Sequence, residues 1–319
     1  MPRRTLALAL CLTIGFSAAA CKRTATAPTG TPASAATTTP PIPVGKTSYS
    51  VEIGGLKRTF HVYRPDGLTK PAPLVVFLHG GYGSGAQAEQ YYGWDEEAKA
   101  HGFLVVYPDG YDRAWDTGGG CCGVPASKNI DDVAFITAVV AEIEASAPID
   151  PHRIFATGIS NGGIMDYRLA CSTELFAAIG PDSATELGSC DTPAPLSVIH
   201  IHGTADERIP YTGGPGAGSA HIDGPAVPTV ASDWRRIDTC APPMQTTSDH
   251  GVITTSTAAC AHGRSVELVT ITGAGHQWPG SPNRPVIQDA LDLDAPFPDL
   301  NATDLIWSFF ATHAESVAL

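Results

Sequence analysis

A strand that turns sharply at a serine and continues as a helix leaves few folds open, and this chain has one at Arg153-Ile-Phe-Ala-Thr-Gly158-Ile159-Ser160-Asn161-Gly162-Gly163. Ile154 to Thr157 is a short apolar run of strand type, Gly158 and Gly162 flank Ser160, and Ile164 to Cys171 can be helical. That order is the context of a nucleophile elbow. A turn tight enough to hold the serine in a strained backbone region leaves little room for side chains two residues before and after it. The helix starting there points free backbone N–H groups at the serine, where negative charge would develop. Gly-x-Ser-x-Gly also arises by chance in a chain with 33 glycines, so the flanking strand and helix carry the weight.

Around the elbow, strands and helices alternate. Thr47 to Glu52, Gly54-Gly55 and Lys57 to Tyr63 read as a hairpin forming the antiparallel edge of a sheet. Leu74 to Leu78 is a continuous apolar run, as a buried parallel strand requires, and it ends in the glycine-rich His79-Gly80-Gly81-Tyr82-Gly83-Ser84-Gly85. A helix is expected from Gln87 to His101 with Trp94 inward, a strand from Phe103 to Tyr107, and a long loop from Tyr111 to Lys128 holding Trp115. Asn129 reads as the N-cap of a helix running to Ala147, with Asp132 at N3. Further strands are expected at Phe176 to Gly180, within Pro195 to His202, and at Val252 to Ser256 and Val266 to Ile271. Helices are expected from Val227 to Thr239 and after Asn301. The pattern predicts an α/β fold, a mostly parallel central sheet with helices on both faces, whose active site lies just beyond the strand ends.

The 319 residues carry 19 Lys plus Arg against 32 Asp plus Glu, a formal net charge of −13. Such a chain repels phosphate backbones, so nucleic acid is not an expected partner. Met1 to Cys21 reads as an export signal: Arg3 and Arg4, an apolar stretch from Leu6 to Phe16, then Ala18-Ala19-Ala20. Cys21 leaves two readings open. It resembles the lipidated cysteine of bacterial lipoproteins, which would anchor the chain to a membrane, although such sites usually carry Leu where Ala18 stands; the other reading is plain secretion. Residues 22–45 are rich in Thr, Ala and Pro and are expected to be a disordered linker, with a catalytic domain over 46–319.

Six cysteines follow Cys21: Cys121, Cys122, Cys171, Cys190, Cys240 and Cys260. In an exported chain they are expected to form disulfides. Cys240 with Cys260 is the favoured pair, closing a short excursion between a helix and a strand; the other pairings stay open. No cysteine or histidine cluster has structural zinc spacing, and no metal or other cofactor is expected. The loop at His79 to Gly85 lacks the spacing of a dinucleotide loop and the Lys-Ser or Lys-Thr of a phosphate loop. It suits an oxyanion hole better, with one N–H from Gly81 and one from Asn161, the residue after the nucleophile.

Ser160, Asp206 and His276 each follow a strand, in the chain order of an α/β-hydrolase triad. His276 would act as general base and acid, and Asp206 would hold its tautomer. Asp109 precedes the serine in the chain and is read as structural, as are His79 and His202; Asp131 and Asp132 are read as helix-start residues.

Five motifs in order, His79-Gly80-Gly81, Tyr107-Pro108-Asp109-Gly110, Gly158-Ile159-Ser160-Asn161-Gly162-Gly163, His202-Gly203-Thr204-Ala205-Asp206 with Pro210-Tyr211, and His276-Gln277-Trp278-Pro279-Gly280, resemble the polyhydroxybutyrate depolymerase-like esterases, relatives of feruloyl and acetylxylan esterases. The resemblance spans Thr47 to Phe310. It implies an exported serine esterase of the α/β-hydrolase superfamily with Ser160 as nucleophile, Asp206 as acid and His276 as base. It also implies Trp115 and Trp278 as aromatic pocket residues; Tyr82 is expected in the same pocket, where His79-Gly80-Gly81-Tyr82 departs from the many relatives that have a cysteine or other side chain after His-Gly. The implied partner is an ester substrate, from plant cell-wall polysaccharide or a polyester oligomer, with no obligate protein partner. Since no separate substrate-binding domain is expected beyond Leu319, soluble esters, short oligomers and feruloylated sugar esters are favoured over crystalline polyester; hydroxycinnamoyl or related carbohydrate esters are the first reading, with hydroxybutyrate oligomers and acetylxylan as alternatives. A binding module on a hydrolase scaffold would need degraded catalytic residues, and none is degraded.

Overall fold

The computed structural model describes residues 40–248, 251–286, 288 and 293–314. The export signal, Cys21 and most of the linker lie outside these residues. The linker's expected end at residue 45 moves back: Ile42 is buried in the core, its N–H bonds Ser146 O and its carbonyl accepts from Arg64. An apolar side chain with a place in the core, and a backbone with partners, is part of the domain.

The edge hairpin forms as expected. Strands β1 (Gly45–Ile53) and β2 (Leu56–Arg64) pair antiparallel, with Ile53 opposite Leu56 across Gly54-Gly55. Both glycines have positive φ, 58° and 76°, as a two-residue hairpin turn demands. Next come β3 (Ala72–Leu78), β4 (Leu104–Pro108), β5 (Ile149–Ile159), β6 (Ala178–Asp182) and β7 (Ser197–Gly203). The two-residue strands β8 (Gly214–Pro215) and β9 (Asp223–Gly224) pair apart from the main sheet. Then β10 (Met244–Ser248), β11 (Ile253–Ala259) and β12 (Ser265–Ile271) complete a ten-stranded sheet in the order β1-β2-β4-β3-β5-β6-β7-β12-β11-β10. The central run from β4 to β12 is parallel, and both edges are antiparallel.

Among the described residues these α-helices accompany it: α1 (Gly85–Tyr91), α2 (Trp94–His101), α3 (Gly123–Lys128), α4 (Asp132–Ser146), α5 (Asn161–Ser172), α6 (Val227–Ile237) and α7 (Ala302–Thr312). Alternation along β3 divides the core between the two faces. Leu74, Val76 and Leu78 join a cluster with α4, α5 and α6 through Phe135, Ile136, Met165, Tyr167 and Trp234. Val75 and Phe77 join another with α1, α2 and α7 through Ala88, Trp94, Ile306 and Phe310. Each large apolar side chain so buried contributes on the order of 2 kcal/mol.

Local sequence reading fails where a residue does a different job from the one its type suggests. The helix expected from Gln87 to His101 is two, because Gly93 takes φ 73° and breaks the ladder between α1 and α2. The loop expected from Tyr111 to Lys128 contains α3. Asn129 does not cap α4; it sits in the left-handed region at the C-terminal end of α3, a conformation Asn tolerates. Asp131 is the cap, accepting from Ala134 N at 2.9 Å, while Asp132 is buried and pairs with Arg58 at 2.7 Å. The edge strand β10, Met-Gln-Thr-Thr-Ser, is exposed throughout, so no apolar alternation announces it.

Cys240 bonds Cys260, as expected, and closes the β10–β11 excursion; loop closure of that length is worth about 3 kcal/mol in the chain-entropy account. Cys171 bonds Cys190, and the adjacent Cys121 and Cys122 bond each other. Three disulfides suit an oxidising compartment. Among the described residues Cys171, Glu186 and Cys190 group their donor atoms within 4.8 Å, but the disulfide removes both thiolates that a metal would need. No helix among the described residues is long and apolar enough to cross a membrane.

Candidate active site

Ser160 stands between β5 and α5 with φ 58° and ψ −124°, a strained conformation for a residue with a side chain. The surroundings enforce it. A Cβ at Gly158 would come within 2.5 Å of Leu78 O, one at Gly162 would collide with the same carbonyl, and one at Gly163 would meet Ala184 Cβ at 2.8 Å. Ser160 N–H donates to Asp182 O at 2.9 Å, tying the turn to the end of β6. The turn's tightness therefore comes from packing of α5 against the ends of β3 and β6.

Asp206 and His276 come from the loops after β7 and β12, adjacent parallel strands. The loops interlock: Thr204 N–H bonds Ile271 O, Ala205 N–H bonds Ala274 O, and Gly273 N–H bonds Thr204 Oγ1. His276 Nδ1 lies 2.8 Å from Asp206 Oδ2. Asp206 Oδ1 accepts the N–H groups of Arg208 and Ile209, both at 2.8 Å. Burial alone would raise the Asp206 pKa, but hydrogen bonds and charge from His202 and His276 outweigh it and hold the carboxyl well below the usual carboxylate range. His276 is 6% exposed and its backbone N–H donates to Asp294 Oδ2 at 2.6 Å. Among the described residues no hydrogen bond joins Ser160 Oγ to His276; catalytic bonds of this kind are often long before substrate binds.

Of the two expected oxyanion donors, Asn161 directly follows Ser160, and Gly81 follows Gly80, where a Cβ would lie 3.5 Å from Ser160 Cβ; among the described residues neither N–H has a backbone acceptor outside the helices and strands. Tyr82 N–H, by contrast, is taken up by Arg113 O at 2.8 Å. Gly81's loop is held by His79, whose Nδ1 bonds Gly80 O and whose Nε2 accepts from Gly110 N–H at 2.9 Å.

Of the three aromatic residues expected in the pocket, only Tyr82 is exposed, at 68%, and its hydroxyl bonds Ser219 at 2.9 Å. Trp115 and Trp278 require correction. Trp115 is fully buried. Its indole N–H donates to His79 O at 2.8 Å, and its backbone exchanges two bonds with the Asn161 side chain, at 2.8 and 3.2 Å. Its ring therefore braces the oxyanion loop and offers no face for stacking. Trp278 is 2% exposed; it packs on Phe77 and Tyr92 and donates to Thr303 Oγ1, anchoring the loop that carries His276. A groove of about 360 Å³ borders Trp278, Tyr92, Gly93 and Gly280, but none of Ser160, Asp206 or His276 lines it.

The other polar residues take structural places, as expected. Asp109 accepts from Gly85 N–H and Thr59 Oγ1 and lies 3.3 Å from His61. Against burial, these bonds hold it down to about 2. Sequence reading passes over Asp166 and Asp182, buried beside the elbow, whose pKa values burial pushes well up. It also passes over His200 and Tyr167, which stand behind His202. His200 and His202 share one face of β7, but only the packing of α5 on the sheet brings Tyr167 to them.

Burial holds His79 down to about 4 and lowers His200 as well. In the folded state these rings stay neutral where the unfolded chain takes up protons, so stability falls with pH between about 6.5 and about 4. For His79 the loss reaches roughly 3 kcal/mol. Urea unfolding across that range is expected to show the decline, and His79→Gln to flatten it; an unchanged slope in the variant would remove His79 from this role.

No protein-family model matches the chain. Among individual proteins, a putative esterase, NocK, of Nocardia uniformis subsp. tsuyamanensis is 30% identical over 284 residues, 77% of this chain and 78% of that protein. Feruloyl esterase B of Piromyces equi is 30% identical over 231 residues; the match takes in 66% of this chain and only 41% of that longer protein. A solved acetyl xylan esterase from Aspergillus awamori superposes with a TM-score of 0.59 at 15% identity, covering 83% of this chain and 99% of that one. An S-formylglutathione hydrolase from Agrobacterium tumefaciens gives 0.53 at 14% identity, covering 84% and 95%. At those identities the solved structures speak for the fold alone, the α/β-hydrolase sheet. Sequence likeness over more than three quarters of both NocK and this chain adds the lineage: the chain belongs to the same esterase family as NocK, on an α/β-hydrolase fold.

Proposed function

We propose that this esterase is a serine hydrolase in which Ser160, His276 and Asp206 form the triad and act on hydroxycinnamoyl or related carbohydrate esters. The observation that carries the reading is the His276–Asp206 bond of 2.8 Å beside a serine held in a strained elbow. Asp206 accepts from His276 Nδ1, which leaves Nε2 unprotonated and basic. As Ser160 Oγ attacks the ester carbonyl carbon, Nε2 takes the hydroxyl proton, and the carbonyl oxygen becomes an oxyanion. Gly81 and Asn161 N–H groups receive it, each worth roughly 3 kcal/mol in the transition state. Collapse expels the alcohol, which takes the proton back from His276. Water then repeats the sequence on the acyl-serine and releases the acid.

Named relatives support the substrate class, being feruloyl esterases and a bifunctional acetylxylan esterase/xylanase. Exposed Tyr82 beside Gly81 supplies an aromatic face for a phenolic acyl group or a sugar. We further propose export through the segment Met1 to Cys21, with Cys21 lipidated or the chain freely secreted. The enzyme should be assayed on methyl ferulate, acetylated xylan, a hydroxybutyrate oligomer and a short p-nitrophenyl ester. The highest kcat/KM is expected on methyl ferulate. Preference for the oligomer would assign it to depolymerases instead, and preference for acetylated xylan would reduce Tyr82 to a bystander.

A further inference from the structure

Next to Asp206 the fold buries a line of three polar rings. Tyr167 hydroxyl lies 2.8 Å from His200 Nδ1, His200 Nε2 lies 3.0 Å from His202 Nδ1, and His202 Nε2 lies 2.9 Å from Ile209 O and 3.3 Å from Asp206 Oδ2. All three side chains are fully buried. Tyr167 belongs to α5, the helix that starts at the nucleophile, and both histidines belong to β7.

The line has a direction. Ile209 O and the Asp206 carboxylate only accept, so His202 Nε2 must carry a proton. In the neutral ring Nδ1 is then an acceptor and takes the His200 Nε2–H. His200 Nδ1 is an acceptor in turn and takes the Tyr167 hydroxyl proton. Every donor points toward Asp206, and each bond polarises the next. The last proton faces two acceptors, Ile209 O at 2.9 Å and, at 3.3 Å, Asp206 Oδ2, the oxygen that accepts from His276, while Oδ1 is filled by two backbone N–H groups.

We infer that His202, backed by His200 and Tyr167, is a positioning residue for the reaction: it fixes the Asp206 carboxylate so that Oδ2 stays aimed at His276 while the imidazolium forms. Two backbone N–H groups hold Oδ1, and the imidazole of His202, 3.3 Å from Oδ2, adds a second positive edge to the oxygen that His276 uses, so both ends of the carboxylate are fixed. The inference rests on the triad reading above.

The experiment measures kcat and KM on one ester for wild type, His202→Met, His202→Gln and Tyr167→Phe, per active site titrated with a fluorophosphonate, and for Ser160→Ala, which the probe cannot titrate, per mole of folded protein. Glutamine can present an N–H donor where Nε2 stands; methionine cannot. His202→Met is expected to lower kcat roughly 10- to 100-fold, the worth of one hydrogen bond to a charged group, with KM within about twofold. His202→Gln is expected to recover to within roughly fivefold of wild type, and Tyr167→Phe, which only shortens the line, to lose roughly threefold. A merely structural histidine would change the titrated fraction and the melting temperature but not kcat per site. The inference is overturned if His202→Met turns over at the wild-type rate per site, or if His202→Gln is as slow as His202→Met. If His202→Met yields no folded protein, a wild-type rate in Tyr167→Phe overturns it. Retained turnover in Ser160→Ala would instead overturn the triad reading, so the two failures are told apart.

Discussion

Ser160→Ala is expected to cut kcat about a million-fold, the size of loss seen when a serine hydrolase loses its nucleophile. The Ser160 hydroxyl holds nothing else together. Among the described residues it makes no hydrogen bond, and the turn is held by backbone and glycine packing, Ser160 N–H to Asp182 O included. Alanine bears the same positive φ as serine does, so the variant is expected to fold and bind substrate with KM little changed. Steady-state assays on the best ester, with circular dichroism as a folding control, check both halves. A folded variant that keeps full turnover would mean the elbow does not carry the nucleophile.

Asp206→Asn is expected to cost roughly ten-thousand-fold in kcat. The Asp206 carboxylate faces donors on every side: two backbone N–H groups on one oxygen, His276 on the other, with His202 at 3.3 Å. An amide has one acceptor oxygen and one donor nitrogen. Either orientation sets its NH2 against hydrogens, and the orientation that spares the backbone bonds drives His276 into the tautomer that cannot take a proton from Ser160. Folding stability should fall as well, since the native state stabilises the ionised carboxyl strongly enough to depress its pKa. Loss of less than tenfold in kcat would exclude Asp206 as the acid.

Much of this site is legible in the sequence because it is written in local signals. Glycine around Ser160, buried apolar runs and polar residues just past strand ends are patterns of period and position, and the sheet confirms the hairpin, the parallel strands and the Cys240–Cys260 pair. What escapes depends on the third dimension. Trp115 is expected on the pocket wall, since a tryptophan in a loop beyond a strand has a face to offer; its indole N–H instead finds His79 O, and the ring goes inside. Trp278 goes inside for the same reason, with Thr303 as acceptor. Asn129 and Asp131 are both good caps by composition, and only backbone geometry decides between them. The Tyr167–His200–His202 line joins a helix to a strand 33 residues on, a distance at which no periodicity operates.

The double anchoring of Trp115 bears on how an enzyme of this architecture can diversify. Through its side chain, Asn161, the residue proposed to offer an oxyanion N–H, also grips the root of the loop beginning at Trp115. The loop's far end, Gly118-Gly119-Gly120, turns with positive φ at all three positions and rests on Leu187 and Gly188. Root and tip are joined by Cys122 N–H to Trp115 O at 3.2 Å, and a side chain at Gly119 would meet Gly188 N at 2.9 Å. An exchange at the tip is therefore expected to be felt at the root, so this loop varies as one piece with the Asn161 side chain that grips it.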